Sequence, residues 1–340
     1  MSEHIPTHLV ERYRHLWLLE HLTGKRVRNW LQPQSDSDLD QKILAALKDR
    51  GPGRLVQVER RKDLSMDEFH RVYLRLGIPV IMSGAARDWP CVRNWSPAWV
   101  AERYGSDPVN LIDAAPNNFN AIDYKTRQTT LGEVIAEMDE KPLERYSRFN
   151  TLLHDHPELA RDFDSPWLKR HRNPVCSGQT FQVFIGGKGS RTHLHAASEH
   201  NLFTQVYGRK HWQIYPPSYD CVLRPPVNRT PYFHSPFDPD KPNAELFPAM
   251  QYLDTWTCTL EPGDVFFLPP SWWHHVNNFT GSIGVAFRWF APNDAFRLDW
   301  AQAAMTLLAV NPPIWLAMRH RTNFTKIFSY MSRSQQKAGQ

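Results

Sequence analysis

Cysteine is scarce and scattered: Cys91, Cys176, Cys221 and Cys258 are the only four in 340 residues. No two form a C-x-x-C pair, which argues against a zinc knuckle or a disulfide framework and suits free thiols in a reducing cytoplasm. Long apolar runs are missing too. The nearest approach to the roughly 18 apolar residues that a membrane span needs, Trp300 to Met318, is broken by Asn311-Pro312-Pro313 and reads as two packed helices. No apolar stretch follows a basic patch at the N-terminus, so no signal peptide is expected and a cytoplasmic location is. Low-complexity tracts, internal repeats and nucleic-acid motifs are absent as well. The net charge of +5 is uneven: residues 1–62 carry +4 and residues 297–340 carry +5, leaving the middle at −4. A modest basic excess on amphipathic helices is a solvated face, and no nucleic-acid partner is expected from it.

What is present is a globular composition, 41% hydrophobic against 22% charged, with enough apolar content for a sizeable core. Leu9, Tyr13, Leu16 or Trp17, and Leu19 or Leu22 recur at helical spacing, and Gly24 follows as a stop. "LQPQSDSD" reads as a polar linker, "LDQKILAALKDR" as a short helix ended by "GPG", and "RLVQVERR" as a strand. "SPAWVAERYG" and "TLGEVIAEMDE" read as helices. From Phe181 to Phe290 short strands dominate, punctuated by Gly and Pro, which indicates a sandwich or barrel. A Pro-, Asn-, Asp- and aromatic-rich insertion spans about 221–252, the kind of long loop that covers sites. After Asn293 the pattern turns helical.

Two histidine clusters carry the chemistry. "RTHLHAASEHN", Arg191 to Asn201, packs three histidines and a glutamate into eight positions. Strand alternation puts His193, His195, Ala197 and, if the strand continues, Glu199 on one face. In "EPGDVFFLPPSWWHHVNN" the tight turn Pro262-Gly263-Asp264 precedes a buried strand. His274 and His275 then follow two prolines and two tryptophans, and only one of the pair can face the first cluster. A barrel closes such remote strands on one interior, which is the arrangement that non-haem Fe(II) centres of the two-histidine, one-carboxylate type require.

Together "GIPVIMSGAARDWPCVRNWSPAWVAERYG", "GKGSRTHLH", "NLFTQVYGRKHWQIYPP" and "EPGDVFFLPPSWWHHV" resemble the cupin-like branch of the jumonji-C oxygenases, the group that includes factor-inhibiting-HIF-type asparaginyl hydroxylases. The resemblance covers about residues 63–292, in order. It implies a mostly β fold, a double-stranded β-helix or jelly-roll with flanking helices, and 2-oxoglutarate-dependent hydroxylation at Fe(II). The family's T-P-L-H-x-D motif falls on Thr192 to Ala197, so the resemblance makes His195 the first metal histidine and His274 the distal one. Lys210 matches the lysine that pairs with the far carboxylate of 2-oxoglutarate, a task suited to an ammonium on a long stem. Thr192 and Asn201 match further co-substrate positions, and Tyr146 another. Where the family commonly has an asparagine in the last strand this chain has Ala286, and Arg288, two residues along on the same face, stands as its substitute.

The motif departs from the family at two positions. Ala197 replaces the ligating aspartate, and His193 replaces the proline. His193 and Glu199 are the local candidates for the missing ligand. Glu199 reaches the metal only if a turn through "AASEH" brings it back, because four residues of straight strand cover about 13 Å. A second alternative is a halide filling the vacant coordination position, as in iron and 2-oxoglutarate halogenases, which this pattern also resembles. The third is a cupin scaffold that binds metal weakly or not at all. His200, His211, His234 and His275 read as structural or surface residues, and Trp272, Trp273 and Trp289 as packing. The division expected is a helical extension over 1–62, a cupin-like jumonji-C domain over 63–296 and a helical tail over 297–340 that pairs two copies as a homodimer. The substrate class, peptide, protein or small molecule, stays open.

Overall fold

The computed structural model describes residues 5–31, 35–112, 126–138, 146–227 and 230–310. Helix α1 (Thr7–Thr23) forms where the helical spacing predicts it and closes at Gly24, whose φ of 87° suits only a residue without Cβ. Helices α2 (Lys25–Leu31) and α3 (Ser35–Lys48) follow. The SDSD segment is thus the first turn of α3 rather than linker, and Ser and Asp are residue types favoured near helix N-termini. "RLVQVERR" is likewise not one strand. It splits into β1 (Leu55–Gln57) and β2 (Arg60–Arg61), which join different sheets.

The later strands are β3 (Val80–Met82), β4 (Pro108–Ile112), β5 (Thr126–Thr130), β6 (Tyr146–Asn150), β7 (Ser177–Gly186), β8 (Arg191–Ala197), β9 (His200–Tyr207), β10 (Lys210–Tyr215), β11 (Tyr232–His234), β12 (Thr255–Leu260), β13 (Val265–Leu268), β14 (Trp273–Asn278) and β15 (Ser282–Phe290). One sheet has the order β1-β12-β10-β14-β8-β11 and the other β2-β3-β13-β9-β15-β7-β6, with β4 and β5 as a separate pair. Two facing sheets with such crossovers are a jelly-roll, as the resemblance implies. The apolar "VFFL" of β13 is buried along its whole length between β3 and β9. The 221–252 insertion contributes β11, which pairs antiparallel with β8 at the sheet edge.

Apolar side chains form three bodies. Phe203, Trp212, Phe266 and Ala286 pack between the sheets. Val183, Val285, Phe287 and Trp289 face helices on the outer side of the larger sheet. Leu194, Ala196 and Trp273 face α1 and the helix Trp300–Leu307 on the outer side of the smaller one. The apolar face of "WAQAAMTL" is therefore covered within the chain, while Leu307, Leu308 and Val310 stay exposed. The rest of the tail, 311–340, lies outside the described residues. Among those described, no helix is long and apolar enough to cross a membrane.

Candidate metal and co-substrate site

β8 and β14 run antiparallel with His195 opposite His274, but the next pair is Thr192 with Val276. Three residues of β8 thus span two of β14, a β-bulge at His193-Leu194. The extra residue inverts parity. Thr192 and His195 share the inner face and line one cavity, whereas His193 is not among the residues that line it. Burial, and after it the charges of Arg191 and Arg148, holds the His193 pKa down to about 4. The alternation that put His193 beside His195 is corrected on this point, because one inserted residue flips every side chain beyond it.

The two inner imidazoles lie with ring centroids 4.0 Å apart. Nδ1 of His195 is 2.9 Å from the His193 carbonyl, and Nδ1 of His274 is 2.9 Å from the Trp272 carbonyl. A carbonyl only accepts, so each Nδ1 carries the proton and each Nε2 keeps a lone pair. Burial, then the mutual influence of His274 and His234, holds His195 well below its usual range, and burial brings His274 to about 3. Both rings are neutral at ordinary pH, the state in which imidazole ligates a metal.

Lys210 is fully buried at the foot of the same cavity. Its Nζ donates to Asn278 Oδ1 at 2.7 Å and to the Tyr146 hydroxyl at 3.1 Å, and burial lowers its pKa. Gly284 makes room for it: a Cβ there would strike Phe203 and come within 3.3 Å of Lys210 Cε. Thr192, Asn201, Arg288 and Tyr146 line the cavity too, a narrow one of about 20 Å³. Asn201 and Arg288 face each other across β9 and β15, and Asn201 Oδ1 is buried without a hydrogen-bond partner.

The turn after Ala197 does fold back, yet it brings Glu199 to Arg288 rather than to the histidines. Arg288 Nη1 donates to Glu199 Oε2 at 3.4 Å, both side chains being buried. Burial raises the Glu199 pKa against the pull of Arg288. Among the described residues, the one set of three ligating side chains with atoms within 4.8 Å of one another is Asp238, Asp240 and His275. It lies on the opposite face of β14, as alternation demands of His275. Arg191 Nη1 stands 3.2 Å from both carboxylates and already compensates them. Neither Glu199 nor His193 therefore completes a three-ligand set with His195 and His274 here.

Two neighbours escape a reading of the sequence. Asn278 follows His274 by four residues, and alternation along β14 would have turned it inward. His234 lies opposite His195 on β11, with rings stacked at 5.7 Å; nothing in its sequence context pointed to this.

A jelly-roll with two inward imidazoles above a buried lysine defines a cupin of the jumonji-C kind. The chain belongs to that family: the model of the cupin-like domain matches residues 66–296. Its relatives include the lysine-specific demethylase JMJ30 of Arabidopsis thaliana, 27% identical over 246 residues, covering 68% of this chain and 54% of that protein. Lysine-specific demethylase 8 of Xenopus tropicalis is 26% identical over 235 residues, with 66% and 51% covered. The bifunctional peptidase and (3S)-lysyl hydroxylase JMJD7 of Homo sapiens is 23% identical over 257 residues, with 65% and 80% covered. The chain spans about half the length of the first two.

Proposed function

We propose that this protein is an Fe(II)- and 2-oxoglutarate-dependent oxygenase of the hydroxylating type that acts on a peptide or protein. The observation that carries the reading is Lys210, an ammonium buried at the foot of the cavity that His195 and His274 line. Two of its three N–H donors have partners, and the third suits a carboxylate. His195 and His274 would hold iron through Nε2, each ring fixed by a backbone carbonyl that raises its basicity. Tyr146 and Asn278 aim the ammonium, and Thr192 and Asn201 offer polar contacts along the co-substrate. When bound, iron and 2-oxoglutarate supply the oxidant: the 2-oxo acid leaves as succinate and CO2, taking one atom of O2 while the other enters a substrate C–H bond. Phe184, Phe203 and Trp212 keep this space apolar. The 221–252 insertion, which places β11 and His234 beside His195, would form one wall of the substrate groove.

The names of the relatives, demethylases and a lysyl hydroxylase, favour a protein substrate over a small molecule. We keep residues 63–296 as the catalytic unit, to whose two sheets β1 and β2 of the otherwise helical 1–62 extension add edge strands, and residues 297–340 as the element that pairs two copies. Sedimentation of the full chain across a concentration series tests that pairing. The function itself is tested by anaerobic titration with Fe(II) and 2-oxoglutarate, following the metal-to-ligand charge-transfer band. A saturable band that disappears in Lys210→Met supports the oxygenase. A band shifted by chloride would favour halogenation at the Ala197 position, and no band under any condition would favour a scaffold.

A further inference from the structure

Arg288 lies on the inner face of β15, 5% exposed, among the residues that line the cavity with His195, His274 and Lys210. Its contact with Glu199 is one bond of 3.4 Å, where a charge-assisted N–H···O bond normally closes to about 2.7–2.9 Å and an arginine often engages a carboxylate with two. The slack is visible on both sides: Arg288 Nε and Glu199 Oε1 are buried without hydrogen-bond partners. A buried donor on a cation left unmet is costly, so the guanidinium retains unspent capacity for an anion. Two buried cations, Lys210 and Arg288, thus face one cavity, and among the described residues no carboxylate lines it. Ala197 removes the side-chain carboxylate that the family motif puts beside the two histidines. Against the family pattern, the centre is therefore short of one negative charge, and the cation beside it, Arg288, is met only by the single long contact to Glu199.

We propose that Arg288 is the receptor for a small carboxylate anion, bound beside His195 and His274 in place of the side-chain carboxylate that Ala197 lacks. The planar guanidinium fork matches a carboxylate better than a spherical halide. Glu199 is the internal competitor, its long contact being the one the ligand displaces or joins. The inference rests on reading Ala197 as the vacant ligand position, but it needs neither iron nor 2-oxoglutarate to be tested.

The experiment is calorimetric titration of sodium formate into the full-length, metal-free protein, with sodium chloride as the comparison. Saturable formate binding is expected, weakened at least tenfold in Arg288→Gln and in Ala197→Asp, whose new carboxylate occupies the place. In Glu199→Gln it should tighten severalfold, because the competitor has gone. That gain keeps the proposal open to refutation even if the Arg288 variant fails to fold. No saturation in both the wild type and Glu199→Gln overturns it. So does formate binding that survives Arg288→Gln and is lost in Lys210→Met, which would put the anion at the lysine. Tighter chloride than formate overturns the carboxylate class. N-acetylaspartate separates the sources: equal dependence on Arg288 assigns the site to the acidic end of a substrate, and binding of formate alone assigns it to a free small acid. Failure of the iron titration leaves these outcomes untouched, so the two readings fall separately.

Discussion

Lys210 and Asn278 stand directly opposite each other on β10 and β14, with Nζ 2.7 Å from Oδ1. The asparagine spends its own amide on Ser190 Oγ at 2.7 Å, so its carbonyl is held toward the lysine. Replacing Lys210 by Met should leave stability unchanged or raise it by about 1–4 kcal/mol, since a buried charge gives way to an isostere of similar length. Binding of 2-oxoglutarate should weaken roughly 30-fold or more, from the 2–5 kcal/mol that truncating a buried charged partner costs. Thermal melts and calorimetry read the two effects, and a loss of binding explained by unfolding would refute the assignment.

His195→Ala and His274→Ala should each lower affinity for Fe(II), or for Co(II) as a spectroscopic stand-in, by roughly 100-fold or more. His275→Ala should leave it within a few-fold, because that ring faces outward and its Nε2 is 2.9 Å from Asp240. Equal losses in His274→Ala and His275→Ala would contradict the alternation along β14.

Ala197→Asp restores an anionic ligand on the inner face and should raise metal affinity about tenfold or more. Co(II) titration followed in the visible region measures it. An unchanged affinity would mean that the position does not open on the metal.

Arg14 of α1 donates to Asp299 at 2.9 Å and lies 3.6 Å from Asp220, both carboxylates being fully buried. Burial and then Asp299 push the Asp220 pKa up, and Trp273 Nε1 donates to it at 2.7 Å, next to His274. Arg14→Leu leaves two buried acids without their cation and should cost about 3–5 kcal/mol in urea unfolding. A loss below 1 kcal/mol would show that the carboxyls share a proton and need no arginine.

His171 is buried against Trp167 and Phe69, and burial lowers its pKa to about 4. Below about pH 6.5 the unfolded chain binds a proton that the folded chain refuses until about pH 4, so stability falls as pH drops through that window. His171→Gln should flatten the dependence of melting temperature on pH between 6.5 and 4. An unaltered slope would remove His171 from the acid sensitivity.

Much of this was legible in the residues. The strand-rich run to Phe290, the turn at Pro262-Gly263-Asp264 and the opposite facing of His274 and His275 follow from local pattern, because alternation and turn chemistry act over a few residues. Helix α1 and its stop at Gly24 follow in the same way. "RLVQVERR" was not legible as two strands, since which sheet a strand joins depends on partners 200 residues away, at Thr255 and beyond. His193 misled for a related reason: the bulge at His193-Leu194 is a property of the β8 and β14 register, not of either strand alone.

The sequence by itself determined the donor types: two imidazoles, one lysine, and an alanine where the motif has aspartate. Spacing along one strand decided that only one of His274 and His275 can be the inner ring, and the resemblance to the family pointed to His274. Only the tertiary structure decided what Glu199 does, because its burial and its pairing with Arg288 arise where the turn after β8 meets the end of β15. It also brought His234 opposite His195 from an insertion that reads as loop. Chemistry is written in side chains, but burial and charge partners come from contacts between distant strands, and those contacts decide which carboxylate is already spoken for.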